Sequence, residues 1–215
     1  NFLIIEDDCI SDLHYEGERQ LPLKALDSEE RVVYIKSFSK IFMPGLRLAF
    51  ILLPEKLLSP ILAAKHATDI SSGGLTQRAF DLYLREGLWD QHIEKMSCQF
   101  KKRFSLMRKE INDKLPVGVE LVFKPAGGLY YWLALPDGFD SEELYLMALK
   151  RGVAFLPGNV FQYEKEKSRY FRLSFAAVSQ KEIKEGMELL RDCCKRILNK
   201  SEYMKDDNKG YTPLL

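Results

Sequence analysis

One short stretch of the sequence brings together side chains that could bind and activate a small phosphorylated molecule. Lys40 ends the segment Ser37-Phe38-Ser39-Lys40, Arg47 follows it closely, and Asp7 precedes both. A lysine amine can form an imine with an aldehyde, and a guanidinium with nearby hydroxyls can bind a phosphate. A carboxylate can keep a ring nitrogen protonated. Taken singly, each of these residues has an ordinary explanation as a surface charge or a cap. Whether they form one binding site depends on their relative placement in the fold.

Three predicted strands determine that placement. Apolar or β-branched runs at residues 2–5, 31–37 and 46–53 are typical of strands. About 25 residues separate the first two runs, so these strands can be parallel, whereas the roughly ten-residue connection to the third predicts an antiparallel strand. Open α/β sheets bind ligands at the carboxyl ends of their strands. We therefore expect Asp7 and Lys40 to open onto one crevice, as pyridoxal-phosphate (PLP) chemistry requires.

The rest of the chain predicts a second, smaller unit joined through a long helix. Apolar residues at spacings of three and four mark one face of that helix: Ile93, Met96, Phe100, Phe104, Met107, Ile111 and Leu115. Strand patterns follow at 119–123, 129–135, 153–156 and 170–175, and two capping boxes open further helices: Asp140/Glu143 and Ser179/Glu182. We expect a partial PLP-binding domain at 1–90, a small domain with the connecting helix at 91–200 and a polar tail at 201–215.

Composition and charge argue against several classes of protein. The 215 residues are 46% hydrophobic and 29% charged, as in a soluble globular protein, and a net charge of +1 gives no general attraction for nucleic acid. No apolar run approaches the roughly 20 residues of a membrane span, and no signal peptide is evident, so we expect a cytoplasmic protein without membrane contact. The cysteines and histidines lack metal-ligand spacing, which predicts reduced thiols and no metal site.

Five segments, in order, resemble the C-terminal half of fold-type-I PLP-dependent aminotransferases. They are IIEDD (4–8), YIKSFSKIFMPGLRLAFILLP (34–54), KPAGGLYYWLALP (124–136), FLPGNVF (155–161) and YFRLSFA (170–176). The likeness is greatest to the aminotransferase-like domain of MocR-type regulators in the GntR superfamily. It implies an α/β fold, here a partial, mostly parallel sheet with one antiparallel strand plus a small α+β C-terminal domain. It also implies PLP as cofactor and a homodimer for the intact protein.

The resemblance assigns roles at the first cluster of residues. Lys40 resembles the lysine that holds the cofactor as a Schiff base, and Asp7 resembles the aspartate that pairs with the pyridine nitrogen. Ser37 and Ser39 resemble the phosphate-binding hydroxyls. Arg47 resembles the phosphate-binding arginine. Together these residues would form the cofactor site.

Two further roles and one departure come from the same resemblance. Arg172 resembles the arginine that binds the substrate α-carboxylate, although a salt bridge inside the small domain is the alternative. Gly127-Gly128 resembles a tight turn near the substrate, with a plain hairpin as the alternative. Cys9 stands where these regulators carry a tyrosine that bonds the cofactor's 3-hydroxyl, and related aminotransferases place that tyrosine at the position of Ile10. A thiol is a weak donor, so this contact is in question.

Two functions share this chemistry. The first is the effector module of a transcriptional regulator, which would bind an amino acid or 2-oxo acid and reach DNA through an N-terminal winged-helix domain. The alternative is a stand-alone aminotransferase that moves an amino group between an amino acid and a 2-oxo acid. Because the chain opens on a buried-strand pattern at Phe2–Ile5, we interpret it as a C-terminal fragment that binds PLP weakly or not at all and is inactive alone. A complete small domain opening on an edge strand, or an inactive remnant, are the other interpretations.

Overall fold

The computed structural model describes residues 2–164 and 166–207, which form two compact units. The first contains the residues up to Gln99 together with Ala126–Gly128. The second contains Phe100–Pro125 and the residues from Leu129 on. The division falls inside one helix, α4 (Leu88–Lys114), which also contains the domain limit predicted at residues 90 and 91.

A three-stranded sheet forms the centre of the first unit. Its strands are β1 (Ile4–Asp8), β2 (Val32–Ser37) and β3 (Ala49–Leu52), in the order β1-β2-β3. β1 and β2 are parallel, and β3 is antiparallel to β2, which agrees with the directions predicted from the lengths of the two connections. The sheet is therefore mixed, and a mostly parallel sheet in the intact protein stays a prediction.

The first unit also contains three helices: one lies between β1 and β2 in the sequence, and two follow β3. They are α1 (Leu23–Leu26), α2 (Glu55–Thr68) and α3 (Gly74–Arg85). The carboxylate of Glu6 accepts hydrogen bonds from the amides of Leu23 and Lys24 at 2.8 and 2.9 Å, so β1 caps the start of α1. Pro60 lies inside α2, because the helix already begins after Pro54.

The second unit is a small antiparallel sheet with helices. Its strands are β4 (Glu120–Leu121), β5 (Tyr130–Ala134), β6 (Leu156–Pro157) and β7 (Tyr170–Ser174), in the order β4-β5-β7-β6. The helix α5 (Ser141–Leu149) lies between β5 and β6, a short 3₁₀ helix at Gly158–Phe161 lies between β6 and β7, and α6 (Gln180–Asp207) follows β7. The strand predicted at 153–156 is shorter and begins later than expected.

Alternation along the strands gives this sheet one buried face. Tyr131, Leu133, Phe171 and Leu173 are buried, as the period of two requires. Phe104 of α4 is fully buried and stacks on Tyr131 with ring centroids 5.3 Å apart. α6 runs into the segment that was expected to be a polar tail, and residues 208–215 of that segment lie outside the described residues.

Candidate functional site

Asp7 and Ser37 lie on the same face of the three-stranded sheet, near the ends of adjacent parallel strands. The register places Asp7 beside Ile35, and Ser37 follows Ile35 by two residues. Because side chains alternate between the faces of a strand, these three residues point to one side. Lys40 follows the end of β2, at the edge of the sheet where β1 also ends.

Two buried neighbours fix the turn that carries Lys40. Phe38 is 8% exposed and Ile41 is fully buried, whereas Lys40 between them is exposed. The amide of Ser39 donates a hydrogen bond to Oγ of Ser37 at 3.4 Å. The hydrophobic side chains therefore face the core while the lysine amine stays at the surface.

An aromatic cluster in the first unit anchors the same turn. The ring centroid of Phe38 lies 4.5 Å from that of Phe80 and 5.5 Å from that of Trp89. Nε2 of His92 is 2.8 Å from the carbonyl oxygen of Ile41, so the imidazole donates to the turn backbone in the tautomer that carries this proton. Residues of α3 and of the start of α4 thus hold the segment after β2 in place.

Arg47 has a left-handed backbone conformation at the end of the short 3₁₀ helix Pro44–Leu46. Its φ is 54°, which residues other than glycine rarely adopt, and such strain is concentrated at binding and catalytic sites. The side chain is exposed, and it forms no hydrogen bond or ion pair with any residue that the structure describes. The carbonyl of the next residue, Leu48, accepts a hydrogen bond from the amide of Phe38 at 3.4 Å, which links Arg47 to the Lys40 turn.

Tyr15 is not free to replace the tyrosine that is missing at Cys9 and Ile10. Tyr15 is 6% exposed, and its hydroxyl donates a hydrogen bond to the carbonyl of Gly128 at 2.9 Å. Burial also raises the pKa of this hydroxyl. Cys9 is half-buried and Ile10 packs toward Gly128, so the sheet edge offers a thiol and an alkyl group at these positions.

The Gly127-Gly128 turn packs directly on the segment that follows β1. Gly127 pairs with His14 in an isolated antiparallel bridge, and the amide of Gly128 donates to the carbonyl of Leu13 at 2.7 Å. A Cβ atom at Gly127 would overlap that Leu13 oxygen, and Gly128 has φ of 86°. The turn thus depends on two glycines, because one approaches backbone closely and the other is left-handed.

A charged cluster around Lys36 was missed by the sequence analysis. Lys36 is 7% exposed, and its ammonium lies 3.1 Å from Asp8 and 2.5 Å from Asp12. The hydroxyl of Tyr34 donates to Asp8 at 2.5 Å, and Oγ of Ser11 lies 3.2 Å from the ammonium. The available signal was a lysine inside an otherwise apolar strand, since a buried lysine requires a paired carboxylate.

This cluster lines a cavity of about 590 Å³ in the first unit. Phe38, Phe50 and Trp89 form part of the apolar wall, and Asp7 and Cys9 also reach it, whereas Lys40 and Arg47 do not. The cavity thus shares Asp7 with the sheet edge near Lys40, but Lys40 and Arg47 themselves lie outside its lining.

The hydrogen bonds of the cluster control the ionisation of Asp8. Burial by itself would raise the pKa of Asp8. Donation from the hydroxyls of Ser11 and Tyr34, from the Ser11 amide and from Lys36 outweighs burial, and the pKa falls to about 2. The same contact with Asp8, after burial, raises the pKa of Tyr34. Asp8 is therefore a carboxylate over the whole physiological range.

Arg172 lies on β7 in the second unit, opposite Trp132 of β5. Its guanidinium carbon is 4.1 Å from the ring centroid of Tyr130 and 5.0 Å from that of Phe161. Arg172 is half-buried, and the described residues contain no hydrogen-bond or ion-pair partner for its guanidinium. A salt bridge inside the small domain, the alternative weighed from the sequence, is therefore not formed within that part of the chain.

Neither a metal-binding cluster nor a membrane-spanning helix occurs among the described residues. No group of three or more His, Cys, Asp or Glu side chains is placed to hold a metal ion. No helix in the described ranges is long and apolar enough to cross a membrane.

A mixed α/β sheet with an aspartate near the end of β1 and a lysine turn after the parallel strand β2, followed by a small antiparallel unit, is consistent with the fold-type-I aminotransferases. The chain belongs to the aminotransferase class I and II family, whose profile matches residues 1–190.

Curated relatives include both enzymes and regulators. The chain is 34% identical to aromatic-amino-acid aminotransferase 1 of Thermococcus litoralis over 93% of its own length and 48% of that protein. It is 33% identical to YdfD of Bacillus subtilis, an uncharacterized HTH-type transcriptional regulator, over 86% of its own length and 38% of that protein. The chain thus spans about half, or less, of the length of the curated relatives that it matches.

Solved structures agree with the family. The multiple substrate aminotransferase of Thermococcus profundus superposes with a TM-score of 0.88 at 33% identity, covering 93% of this chain and 49% of that one. LysN, the α-aminoadipate aminotransferase of Thermus thermophilus, superposes with a TM-score of 0.83 at 30% identity, covering 92% and 51%. That structure is a complex with N-(5'-phosphopyridoxyl)-L-leucine.

Proposed function

We propose that the sheet edge at the ends of β1 and β2 holds PLP, with Lys40 bonding covalently to the cofactor aldehyde. One observation carries this proposal. Asp7, Lys40 and Arg47 are exposed charged side chains close to these strand ends, and none has an ion-pair partner among the described residues. The family and the LysN complex indicate PLP as the cofactor.

The residues present fit this group chemically. The guanidinium of Arg47 and the hydroxyls of Ser37 and Ser39 are suited to a phosphate, because a planar cation forms strong, directional hydrogen bonds with it. The carboxylate of Asp7 would keep the ring nitrogen protonated, and the amine of Lys40 would serve as nucleophile and proton carrier. Bound PLP supplies the electron sink for amino-acid chemistry.

The amino acid or 2-oxo acid would place its α-carboxylate on Arg172. Support comes from the half-buried guanidinium, which no anion neutralises within the described residues. Arginine binds carboxylates through two parallel hydrogen bonds, so it fixes both the position and the orientation of the ligand.

For the whole protein we favour the effector module of a MocR/GntR-type regulator. HTH-type regulators such as YdfD and TauR are among the relatives. Cys9 and Ile10 provide no hydroxyl for the cofactor's 3-oxygen, which departs from both the regulators and the enzymes and does not discriminate between them. A stand-alone aminotransferase is the second candidate, favoured by the identity of 34% to the Thermococcus litoralis enzyme.

We further propose that the intact protein is a cytoplasmic homodimer, since the family builds its site across two subunits, and that any DNA contact belongs to a separate N-terminal domain. Light scattering of the full-length product reports the mass directly.

A helix-turn-helix reading frame upstream of Asn1, with operator binding that responds to an amino acid, would support the regulator. Transamination with multiple turnovers and no such segment would support the enzyme.

Covalent trapping tests the cofactor site itself. The chain is incubated with millimolar PLP, reduced with borohydride and digested, and phosphopyridoxyl-lysine is mapped by mass spectrometry. Covalent trapping also records weak complexes, so it suits a chain that is expected to bind PLP weakly. Lys56, an exposed lysine of α2, is the internal control.

We expect Lys40 to be labelled at least about tenfold more than Lys56. The Arg47→Gln variant should reduce the excess about tenfold, because a hydrogen bond between charged groups contributes roughly 1.5–3 kcal/mol. Labelling of Lys40 at the level of Lys56 would contradict the proposal.

A further inference from the structure

The sheet of the second unit presents an aromatic face around Arg172. Tyr130 and Trp132 of β5 and Tyr170 and Arg172 of β7 point to the side opposite the buried core, because their neighbours Tyr131 and Phe171 are buried. Phe161 closes this face from the short 3₁₀ helix, with its ring centroid 5.4 Å from that of Trp132. We call the set Tyr130, Trp132, Phe161, Tyr170 and Arg172 the Arg172 face.

Among the described residues, aromatic rings and no anion surround the guanidinium of Arg172. Tyr130 and Phe161 contact Arg172 at 4.1 and 5.0 Å, and a ring attracts a cation without using its N–H donors. Within the described residues none of these donors is engaged by an acceptor. The side chain is thus held in place while its hydrogen-bonding capacity stays available for one carboxylate.

A second cation is close in sequence, but it is already neutralised. Arg169 stacks on Tyr170 at 4.9 Å, donates to the carbonyl of Leu135 at 2.8 Å and forms ion pairs with Glu120 and Asp137 at 3.4 and 3.2 Å. It therefore offers little to a second carboxylate of a ligand.

Exposed apolar side chains on neighbouring strands enlarge the apolar surface around Arg172. Leu156 of β6 pairs directly opposite Arg172 and is 40% exposed. Val122, which donates its amide to the Trp132 carbonyl, is 44% exposed. A ligand held by its carboxylate at Arg172 would meet rings and alkyl groups rather than charge.

We infer that the Arg172 face selects an amino acid or 2-oxo acid with a single carboxylate and an aromatic or large apolar side chain. The inference rests on the proposed function for the choice of amino and oxo acids. A dicarboxylic ligand would leave its second carboxylate against rings with no partner, and such desolvation is unfavourable. An aromatic side chain gains edge-to-face or offset contacts with Phe161 and Tyr130 instead.

Calorimetric titration of the 215-residue chain without PLP tests this selectivity. The probes are 3-phenylpropanoate, glutarate and 3-phenylpropan-1-ol, which separate the ring from the charge. We expect 3-phenylpropanoate to bind at least tenfold more tightly than either of the others. Quenching of tryptophan fluorescence that disappears in the Trp132→Phe variant would locate the probe at this face.

Two variants and one control complete the experiment. Phe161→Leu should bring the affinities for 3-phenylpropanoate and glutarate to within about threefold, and Arg172→Gln should remove the advantage of the acid over the alcohol. Tyr163→Leu removes a fully exposed aromatic residue and should change neither ratio.

Equal affinity for glutarate, no binding of 3-phenylpropanoate, or an unchanged preference in Phe161→Leu would overturn the inference. Because the titration contains no PLP, these outcomes are independent of the labelling of Lys40. If the titration shows no selectivity while Lys40 is labelled as expected, the substrate class is rejected and the cofactor site stands. If the titration shows the expected selectivity while Lys40 is labelled no more than Lys56, the cofactor site alone is rejected.

Discussion

Replacing Lys36 with methionine tests whether the buried cluster holds the end of β1. The ammonium of Lys36 is the cation between Asp8 and Asp12, whose side chains are only 10% and 14% exposed. Removing one partner of a buried ion pair costs about 3–5 kcal/mol, because the other charge stays buried. Asp8 keeps hydrogen bonds from Ser11 and Tyr34, so we expect Lys36→Met to lower the free energy of unfolding by about 3 kcal/mol, the lower end of that range.

Urea unfolding followed by circular dichroism measures this change, and the denaturant slope shows whether the two proteins unfold comparably. Lys65→Met is the matched control. Lys65 of α2 pairs with Asp69, the residue that follows this helix, and both side chains are 50% exposed, so loss of the pair should cost no more than about 0.5 kcal/mol. Equal stabilities of the two variants would refute the reasoning.

The same substitution has a defined pH dependence. The pKa of Asp8 is lowered in the folded protein to about 2 from 3.8, so the stability that this group contributes is present above pH 3.8 and is lost as the pH falls toward 2. The variant lacks one of the groups that lower this pKa. The difference in unfolding free energy between wild type and Lys36→Met should therefore narrow between about pH 4 and pH 2. A difference that stays constant over this interval would contradict the assignment.

Two further substitutions probe the turn that packs on the segment after β1. Gly127→Ala places a methyl group on the Leu13 carbonyl and should destabilise the protein by about 1–3 kcal/mol, whereas Gly45→Ala has free space and should cost little; thermal unfolding compares the two. Tyr15→Phe removes the donor to the Gly128 carbonyl and should cost about 1–3 kcal/mol in urea unfolding, because that oxygen loses its partner; a loss below about 0.5 kcal/mol would contradict this role of Tyr15.

The sequence predicted the elements whose signals are local. The capping box of Ser179 and Glu182 forms as expected: the Glu182 amide donates to Ser179 Oγ at 3.2 Å, and the Ser179 amide donates to Glu182 at 2.7 Å. Asp140 likewise caps α5 through the Glu142 amide at 3.0 Å. Connection length predicted the parallel and antiparallel pairings, because a short connection restricts strand direction.

Contacts between residues that are far apart in the sequence could not be predicted from local sequence patterns. Lys36 and Asp12 are 24 residues apart, and Tyr15 and Gly128 are 113 apart. Their hydrogen bonds depend on which strands become neighbours and on which turn packs against which segment. No periodicity in the sequence encodes those partners.

The residue types alone determined the family and the set of groups at Lys40, since SFSK (37–40) and PGLR (44–47) are separated by only three residues in the chain. Only the tertiary structure decided that Lys36 is a buried ion-pair partner and that the Tyr15 hydroxyl bonds to Gly128. It alone also decided that, within the described part of the chain, rings rather than carboxylates surround Arg172. The physical reason is that burial and pairing are properties of three-dimensional neighbours, whereas a sequence motif records only neighbours along the chain.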